Sequence, residues 1–200
     1  GEGAVVSAAA AQPPPPLLRL PPRAADQPPR VGDFLLTHPM SCLFTSVFDQ
    51  AIVLLDEVGE GVTGVVLNNP TGATLEQMLH RWPHARDKEW AESLNLGALL
   101  QNRLHRGGPI IEGKALDTCL RWLHAHGEGV PGARLIAPGL WLGGDLGEVA
   151  ERSREDPSNV RFFLGFAGWA PLQLRIELEC GVWVRARAMP EAADPGAAGA

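Results

Sequence analysis

Short apolar segments bounded by glycine, proline or charged residues dominate residues 31–67. They lie at residues 34–36, 51–55 and 62–67, and the last two are rich in β-branched side chains. Runs of this length and composition are typical of buried strands. The turn between the last two is predicted at residues 57–61, which include glycines that can adopt positive φ. The pattern predicts a hairpin at this point, and therefore a fold built around a sheet.

Two capping patterns predict helices. Thr74 is followed three residues later by Gln77, and Asp145 by Glu148, which is the spacing of the capping box. The apolar residues that follow the first box at helical spacing are Leu75, Met78, Leu79 and Trp82. Those that follow the second are Leu146, Val149 and Ala150. Helices are therefore predicted to begin just after Thr74 and Asp145.

The remaining body is less regular. Residues 83–106 are charged and irregular, which predicts a surface insertion with one helix near residues 89–100. A turn is predicted at residues 107–109, where two glycines precede a proline. Further strand candidates lie at residues 121–125, 134–137, 140–142, 160–166 and 182–188.

Residues 171–180 satisfy two opposing rules. Their apolar and polar residues alternate with the period of a strand. Pro171 and Gly181, however, stand where the first turn and the end of a helix favour them. Local pattern alone leaves both structures open.

Composition predicts a single globular domain with one hydrophobic core. The chain has 200 residues, of which 45% are hydrophobic and 20% charged, enough for a single domain. No apolar run is long enough to span a bilayer. The formal net charge is -6, so the chain lacks the basic surface that usually dominates nucleic-acid affinity. Direct nucleic-acid binding is therefore disfavoured, and no membrane span is expected.

The two ends differ from the body. Residues 1–30 hold eight of the 18 prolines and few large apolar residues, which predicts a disordered, extended arm with neither helix nor strand. Residues 31–190 are expected to form the domain, and residues 191–200 a disordered tail. The first residue is Gly1 rather than methionine, for which presequence removal after organelle import is one explanation.

No pattern of catalytic, metal-binding or cofactor-binding residues is apparent. Cys42, Cys119 and Cys180 are far apart in sequence and form no CxxC pair; the latter two are expected to be core thiols. His80 and His84 have a metal-compatible spacing, but Pro83 interrupts their helix. Asp56-Glu57 is assigned to the hairpin turn as solvated charge. The sequence therefore predicts no metal, no cofactor and no enzyme activity.

Four motifs occur in a fixed order and carry a family resemblance. They are Gly32-Asp33-Phe34-Leu35-Leu36, the segment 64–70 (GVVLNNP), Gly107-Gly108-Pro109, and the segment 164–169 (LGFAGW) with Gln173-Leu174 and Glu177. The chain thereby resembles the YqgE/AlgH family over residues 31–188. The resemblance implies an α+β fold with a curved, partly barrel-like mixed sheet and packed helices, and it favours a helix at residues 171–180. It implies no established chemistry, although one bacterial branch is described as transcriptional regulators.

The chain departs from the family pattern at three places. The usual Asn-Arg-Pro is Asn68-Asn69-Pro70, an acidic-His pair is Asp56-Glu57, and Gly-Gln-Leu-Glu is Leu172-Gln173-Leu174-Arg175. If the family had a polar active site at these positions, this chain would have lost much of it. The motif residues that it keeps are Asn68, Gly107, Gly108, Pro109, Gly165, Gly168, Trp169, Gln173 and Glu177.

Each retained residue has a structural interpretation beside a functional one. Asn68 is expected to bond its own backbone in a turn, and Gly107-Gly108 to form a tight turn rather than an anion-binding nest. Gln173 and Glu177 share a helix face, where they bond neighbouring backbone or line a small cleft. Trp169 is expected to be a core residue.

The leading functional hypothesis is a non-catalytic structural or interaction subunit of a larger assembly, held partly by contacts of the arm 1–30 with other protein subunits. The expected location is a chloroplast or mitochondrion, and the bacterial cytoplasm is the alternative. A competing hypothesis is a small-molecule or anion-binding protein that uses Gly107-Gly108 and Gln173/Glu177. A transcriptional-regulator-like protein is a third.

Overall fold

The computed structural model describes residues 18–19, 27–39, 47–111 and 115–188. In chain order the strands are β1 (Leu18–Arg19), β2 (Asp33–Thr37), β3 (Ile52–Val58), β4 (Val62–Val66), β5 (Pro70–Thr74), β6 (Arg103–Arg106), β7 (Leu120–His124), β8 (Ala133–Ala137), β9 (Leu140–Gly143), β10 (Val160–Leu164), β11 (Ala167–Trp169) and β12 (Trp183–Ala188). The helices are α1 (Leu75–Arg81), α2 (Ala85–Ser93), α3 (Leu116–Cys119), α4 (Leu146–Arg152) and α5 (Gln173–Glu179), and two 3₁₀ helices span Gly97–Gln101 and Pro157–Asn159.

The strands form two six-stranded sheets, and the fold is of the α+β class. The first sheet has the order β1-β12-β2-β3-β4-β11, and the second has the order β5-β6-β10-β7-β9-β8. Neighbouring strands are antiparallel except for β6 and β10, which are parallel. The second sheet is therefore mixed, as expected.

Three apolar clusters alternate with the two sheets as layers. The cluster between the sheets includes Leu54 and Val65 from the first and Leu123 and Phe163 from the second. On the other face of the first sheet, Val53 and Leu55 pack with α5 through Leu174. Helices α1, α3 and α4 cover the outer face of the second sheet. The order of layers is thus helix, sheet, sheet, helices.

The hairpin is formed by β3 and β4, as the sequence predicts, but its turn is shorter than expected. Val58 pairs with Val62, so residues 59–61 make the turn. Asp56 and Glu57 belong to β3, and Asp56 is completely buried. The assignment of Asp56-Glu57 to a solvated turn is therefore wrong for Asp56.

Residues 83–106 are not a surface insertion. They contain α2, a 3₁₀ helix and β6, which lies between β5 and β10 inside the second sheet. Only Leu104 of β6 is fully buried, and its charged neighbours conceal the strand in the sequence. The parallel pairing with β10 is a long-range contact that no local pattern indicates.

Helix α1 has the predicted reciprocal cap. The Thr74 hydroxyl accepts from the Gln77 N–H at 3.2 Å, and the Gln77 side chain accepts from the Thr74 N–H at 3.1 Å. Asp145 accepts from the Glu148 N–H at 2.8 Å and begins α4. The second predicted box is not reciprocal, because the Glu148 carboxylate accepts from Arg152 and the Asp145 N–H donates to the Pro131 carbonyl.

Residues 173–179 form a helix, as the family resemblance favours. Gly181 follows the C-cap with a φ of 71°, as expected, whereas Pro171 lies before the N-cap Leu172 rather than in the first turn.

Part of the arm belongs to the folded body. Leu18–Arg19 pair with β12, so the prediction of neither helix nor strand does not hold for these two residues. The Gln27 carbonyl accepts from the Arg185 guanidinium at 2.7 Å. Arg185 and Asp33 are both buried, and Arg187 donates to Asp33 at 2.7 Å. Residues 1–17 and 20–26 of the arm and the tail 191–200 lie outside the described residues.

Candidate functional site

Five retained motif residues lie together where the two sheets join: Gly107, Gly108, Pro109, Gly165 and Gly168. The Val66 N–H of β4 donates to the Gly107 carbonyl at 2.8 Å, and the Gly107 N–H donates to the Leu164 carbonyl of β10 at 2.8 Å. Gly107 thereby bonds both sheets. We call these five residues the seam.

The seam requires glycine because backbones approach closely there. A Cβ on Gly108 would lie 2.1 Å from the carbonyl carbon of Phe166, and one on Gly107 would lie 2.3 Å from the Gly165 oxygen. Gly165 itself has a φ of 76°, in the left-handed region. The expectation of a tight turn at Gly107-Gly108 is therefore wrong, since these glycines serve backbone contact between sheets.

Asn68 lies elsewhere and does not bond its own turn. Its side-chain amide donates to the Gln50 carbonyl at 2.8 Å, and its side-chain oxygen accepts from the Ile52 N–H at 2.9 Å. Asn68 follows β4, and these contacts reach the start of β3. Asn68 therefore joins the end of β4 to the start of β3 through partners 16 and 18 residues earlier in the sequence. The expectation of a bond within its own turn is wrong.

The other three motif residues, Trp169, Gln173 and Glu177, form one hydrogen-bonded group with Trp183. One carboxylate oxygen of Glu177 accepts from the indole N–H of Trp169 at 2.8 Å and of Trp183 at 2.7 Å. The other oxygen accepts from the Gln173 amide at 2.9 Å. The Gln173 oxygen accepts in turn from the Ala170 N–H at 3.0 Å. We call these four side chains the indole-carboxylate cluster.

The cluster is packed rather than open. The Trp169 and Trp183 side chains are 5% and 4% exposed, so Trp169 is a core residue as the sequence predicts. Phe48 completes the group, with its ring centroid 6.3 Å from that of Trp169 and 5.5 Å from that of Trp183. Three aromatic rings beside a carboxylate could suggest a cage for an organic cation. Here the rings contact one another, and Glu177 is engaged with the two indoles.

The outward side of α5 is apolar and strained at its start. Leu172 precedes the helix with a φ of 68°, and its side chain is 69% exposed. Ile176, one turn later, is 56% exposed. Arg175 and Glu179 flank it and form an ion pair at 2.8 Å. We call Leu172, Arg175, Ile176 and Glu179 the α5 face.

The cysteines divide between core and surface. Cys119 is buried, and burial raises the pKa of its thiol. Cys180 is exposed after α5, so the expectation that it is a core residue is wrong. Its apolar neighbours in the sequence suggested burial, whereas Cys180 is the C-cap of α5 and faces solvent. Cys42 lies outside the described residues.

The structure contains a buried ion pair between the sheets that the sequence analysis does not predict. Asp56 accepts from the Thr63 hydroxyl at 2.5 Å and pairs with the Arg121 guanidinium of β7. The guanidinium carbon of Arg121 lies 4.2 Å from the Phe166 ring centroid. A signal was present, because Asp56 lies two residues after Leu54 and shares its inward face if β3 is extended.

Ser153 and His126 form a pair that resembles part of a hydrolase site. Their Oγ and Nε2 atoms are 2.7 Å apart, but Ser153 is 1% exposed and its hydroxyl also bonds the Val149 carbonyl at 2.7 Å. A nucleophile needs access to substrate, which Ser153 lacks. The pair therefore connects α4 to the segment after β7.

His124 is a buried histidine beside this pair. Its Nε2 lies 2.9 Å from the Gly143 carbonyl, and its Nδ1 accepts from the His126 N–H at 3.3 Å. Burial, followed by repulsion from neighbouring charge, lowers its pKa despite the carbonyl contact. Burial and Arg161 likewise lower the pKa of His105.

Three cavities lined by described residues lie away from the retained motif residues. One of about 440 Å³ is lined by α1, α2 and the 3₁₀ helix that follows α2. Another of about 420 Å³ lies beside the end of β2 and the start of β3, and a third of about 160 Å³ contacts α4. None of the nine residues lines these three cavities, so Gly107-Gly108 and Gln173/Glu177 do not share a cleft there.

The described ranges contain neither a metal-ligand cluster nor a membrane-spanning helix. Within them, no three His, Cys, Asp or Glu side chains are grouped so as to hold a metal ion. Across the same ranges, no helix is both long and apolar enough to cross a membrane.

Comparison with known proteins identifies bacterial relatives. A UPF0301 protein of Chlorobium chlorochromatii is 29% identical over 164 residues, covering 80% of this chain and 76% of the relative. A UPF0301 protein of Chlorobaculum parvum is 33% identical over 153 residues, covering 74% and 71%. A UPF0301 protein of Bacteroides fragilis is 30% identical over 160 residues, covering 78% and 70%.

Two solved structures have a similar fold at 24% sequence identity. A Corynebacterium diphtheriae protein has a TM-score of 0.58 and covers 82% of this chain and 78% of its own. The Pseudomonas aeruginosa AlgH protein has a TM-score of 0.53, with coverage of 80% and 77%. A family model described as AlgH-like matches residues 34–194. With its ordered motifs, its two-sheet fold and these relatives, the chain belongs to the AlgH-like family, the YqgE/AlgH family of the sequence resemblance.

Proposed function

We propose that the chain is a non-catalytic interaction protein that binds another protein through the α5 face. The observation that carries this proposal is Leu172, which is 69% exposed and held at a φ of 68°. A left-handed conformation costs a non-glycine residue about 1–2 kcal/mol. The isolated domain gains little from this side chain, so a contact outside the domain explains why leucine stands there.

The neighbouring residues fit a protein partner. Ile176 adds a second exposed apolar side chain one turn along the helix. The ion pair of Arg175 and Glu179 provides both charges beside it. Interfaces of this kind place apolar anchors in pockets of the partner and surround them with polar contacts. The expected partner surface is an apolar pocket bordered by polar groups.

The polar groups that could suggest catalysis have structural partners. Ser153 is inaccessible, Asp56 is paired with Arg121, and Glu177 accepts from two indoles. The competing anion-binding hypothesis has less support. The Gly107 N–H already donates a hydrogen bond to the Leu164 carbonyl, and the Glu177 carboxylate would repel an anion. The net charge of -6 gives the regulator hypothesis no electrostatic support.

The arm and the cellular location complete the proposal. Residues of the arm outside the described ranges provide a second contact with the assembly. Of the two locations, the bacterial cytoplasm has the support of the named relatives, which are bacterial.

The test compares two substitutions of equally exposed residues. Ile176 and Leu135 are each 56% exposed, but Leu135 lies on β8 of the second sheet. The full chain and the variants Ile176→Glu and Leu135→Glu would be purified from native cells, and the mass of the particle containing each would be measured.

The proposal predicts that the wild type and Leu135→Glu travel in a heavier particle, from which Ile176→Glu is released as a folded monomer. If Ile176→Glu stays in the particle, or if the wild type is itself a free monomer, the α5 face is not the binding surface.

A further inference from the structure

The cavity bordered by α1 and α2 has the features of a ligand site on the opposite side of the molecule from α5. Its volume of about 440 Å³ falls within the range of about 300–1,000 Å³ typical of small-molecule sites. Its apolar lining includes Leu79, Leu96 and Leu100. Leu79 and Leu100 are only half-buried, so the cavity leaves apolar surface in contact with solvent. We call this cavity the α1–α2 cleft.

The rim of the cleft is charged and mainly negative. Glu76 and Glu92 face it together with a single lysine, Lys88. Asn95 and His80 supply the other polar groups. Two carboxylates against one ammonium favour a ligand with a positive charge.

Glu92 is the carboxylate available for such a ligand. Lys88 lies one turn before it, the spacing at which the two would normally pair. The Lys88 ammonium instead donates to the His80 carbonyl at 3.0 Å, and Glu76 accepts from the Gln101 amide at 3.0 Å. Among the described residues, no cation lies within ion-pair distance of Glu92.

We propose that the α1–α2 cleft binds a small organic ammonium with an aliphatic body, whose chain covers Leu79 and Leu100 and whose charge pairs with Glu92. A primary alkylamine has this chemistry. The site is independent of the α5 face and of the proposed interaction function.

The test is a titration of the full-length ¹⁵N-labelled chain with n-hexylamine, followed by amide NMR shifts. The neutral analogue n-hexanol has the same chain without the charge. The third ligand is Nα-acetyl-lysine methylamide, called acetyl-lysine methylamide, whose ε-ammonium is free. It carries an alkylammonium on a peptide backbone, and it therefore distinguishes a lysine side chain of a peptide from a free amine.

The expected result is saturable binding of n-hexylamine, with shifts at Leu79, Leu96, Gly97 and Leu100, and weaker binding of n-hexanol and of acetyl-lysine methylamide. Glu92→Gln should weaken hexylamine binding by about threefold to fivefold, the effect of one exposed charge pair. Glu89→Gln is the matched control, because Glu89 is on the same helix but does not line the cleft.

The proposal is overturned if n-hexylamine produces no saturable shifts in the cleft, or if hexanol binds equally well. It is also overturned if Glu92→Gln and Glu89→Gln have the same effect. If acetyl-lysine methylamide binds more tightly than n-hexylamine, the proposal of a free amine is overturned, and the ligand is instead a lysine side chain of a peptide. Unchanged amide shifts in both sheets verify that the variants are folded.

Discussion

Glu177 should be a major stabilising residue of the domain, although it carries a charge and lies on a short surface helix. Its carboxylate accepts from the indole N–H groups of Trp169 and Trp183, which are 5% and 4% exposed. The two buried indole donors therefore depend on this carboxylate as their acceptor. A buried donor left without an acceptor costs about 1–3 kcal/mol. With two indoles affected, Glu177→Ala should reduce the free energy of unfolding by about 2–5 kcal/mol.

Two further variants separate this effect from loss of charge. In Glu177→Gln, one oxygen can still accept from both indoles, but the new amide faces the donating amide of Gln173, so the loss should be about 1 kcal/mol. Glu179→Ala removes an ion pair with Arg175 whose side chains are 50% and 72% exposed, and it should cost at most about 0.5 kcal/mol.

The assay is urea unfolding followed by circular dichroism and by tryptophan fluorescence, to which all six tryptophans of the chain contribute. From the most to the least destabilised variant, the expected order is Glu177→Ala, then Glu177→Gln, then Glu179→Ala. A loss of less than about 1 kcal/mol for Glu177→Ala, the range of surface substitutions, would refute the reasoning.

Two other predictions concern the seam and the two histidines whose pKa is lowered, His124 and His105. Gly108→Ala places a Cβ 2.1 Å from the Phe166 backbone and should cost more than about 3 kcal/mol or prevent folding, whereas Gly59→Ala, which has open space, should be nearly neutral in the same unfolding assay. His124 and His105 have lowered folded-state pKa values, so below their ordinary value of 6.5 the unfolded chain takes up protons that the folded chain does not. The free energy of unfolding should therefore be fully present above pH about 6.5 and fall as the pH drops, by at most about 1.4 kcal/mol per pH unit for each histidine. Measurement of unfolding against pH should give a shallower slope for His124→Gln, and an unchanged slope would contradict the assignment.

Features that depend on local chemistry could be predicted from the sequence. The hairpin of β3 and β4 follows from two β-branched runs and a glycine-containing turn, and α1 follows from the reciprocal cap of Thr74 and Gln77. Trp169 could be placed in the core from its size. The end of the helix at residues 173–179 is indicated by Gly181, which has a φ of 71° directly after the C-cap Cys180, although local pattern alone leaves helix and strand open. The alternation of the segment includes the exposed Leu172 and Ile176 and does not mark a strand.

Features that depend on distant contacts could not be predicted. β6 is largely polar, and its place in the sheet is fixed by β10, far along the chain, through pairs such as Leu104 with Phe162. Gly107-Gly108 looks like a turn in sequence, because the backbone of Phe166 that demands glycine is equally remote. The α1–α2 cleft arises from separate helices and has no sequence motif.

Leu172 is inferred to serve a partner rather than the fold, and Leu172→Gly tests this central claim most directly. Glycine relieves about 1–2 kcal/mol of left-handed strain and loses about 0.5–1 kcal/mol through greater freedom of the unfolded chain. The isolated domain should therefore become more stable by about 0.5–1 kcal/mol. The decisive measurement is the mass of the native particle that contains this variant. The stabilised variant is expected to be found free of the particle, and full retention of Leu172→Gly in it would contradict the central claim.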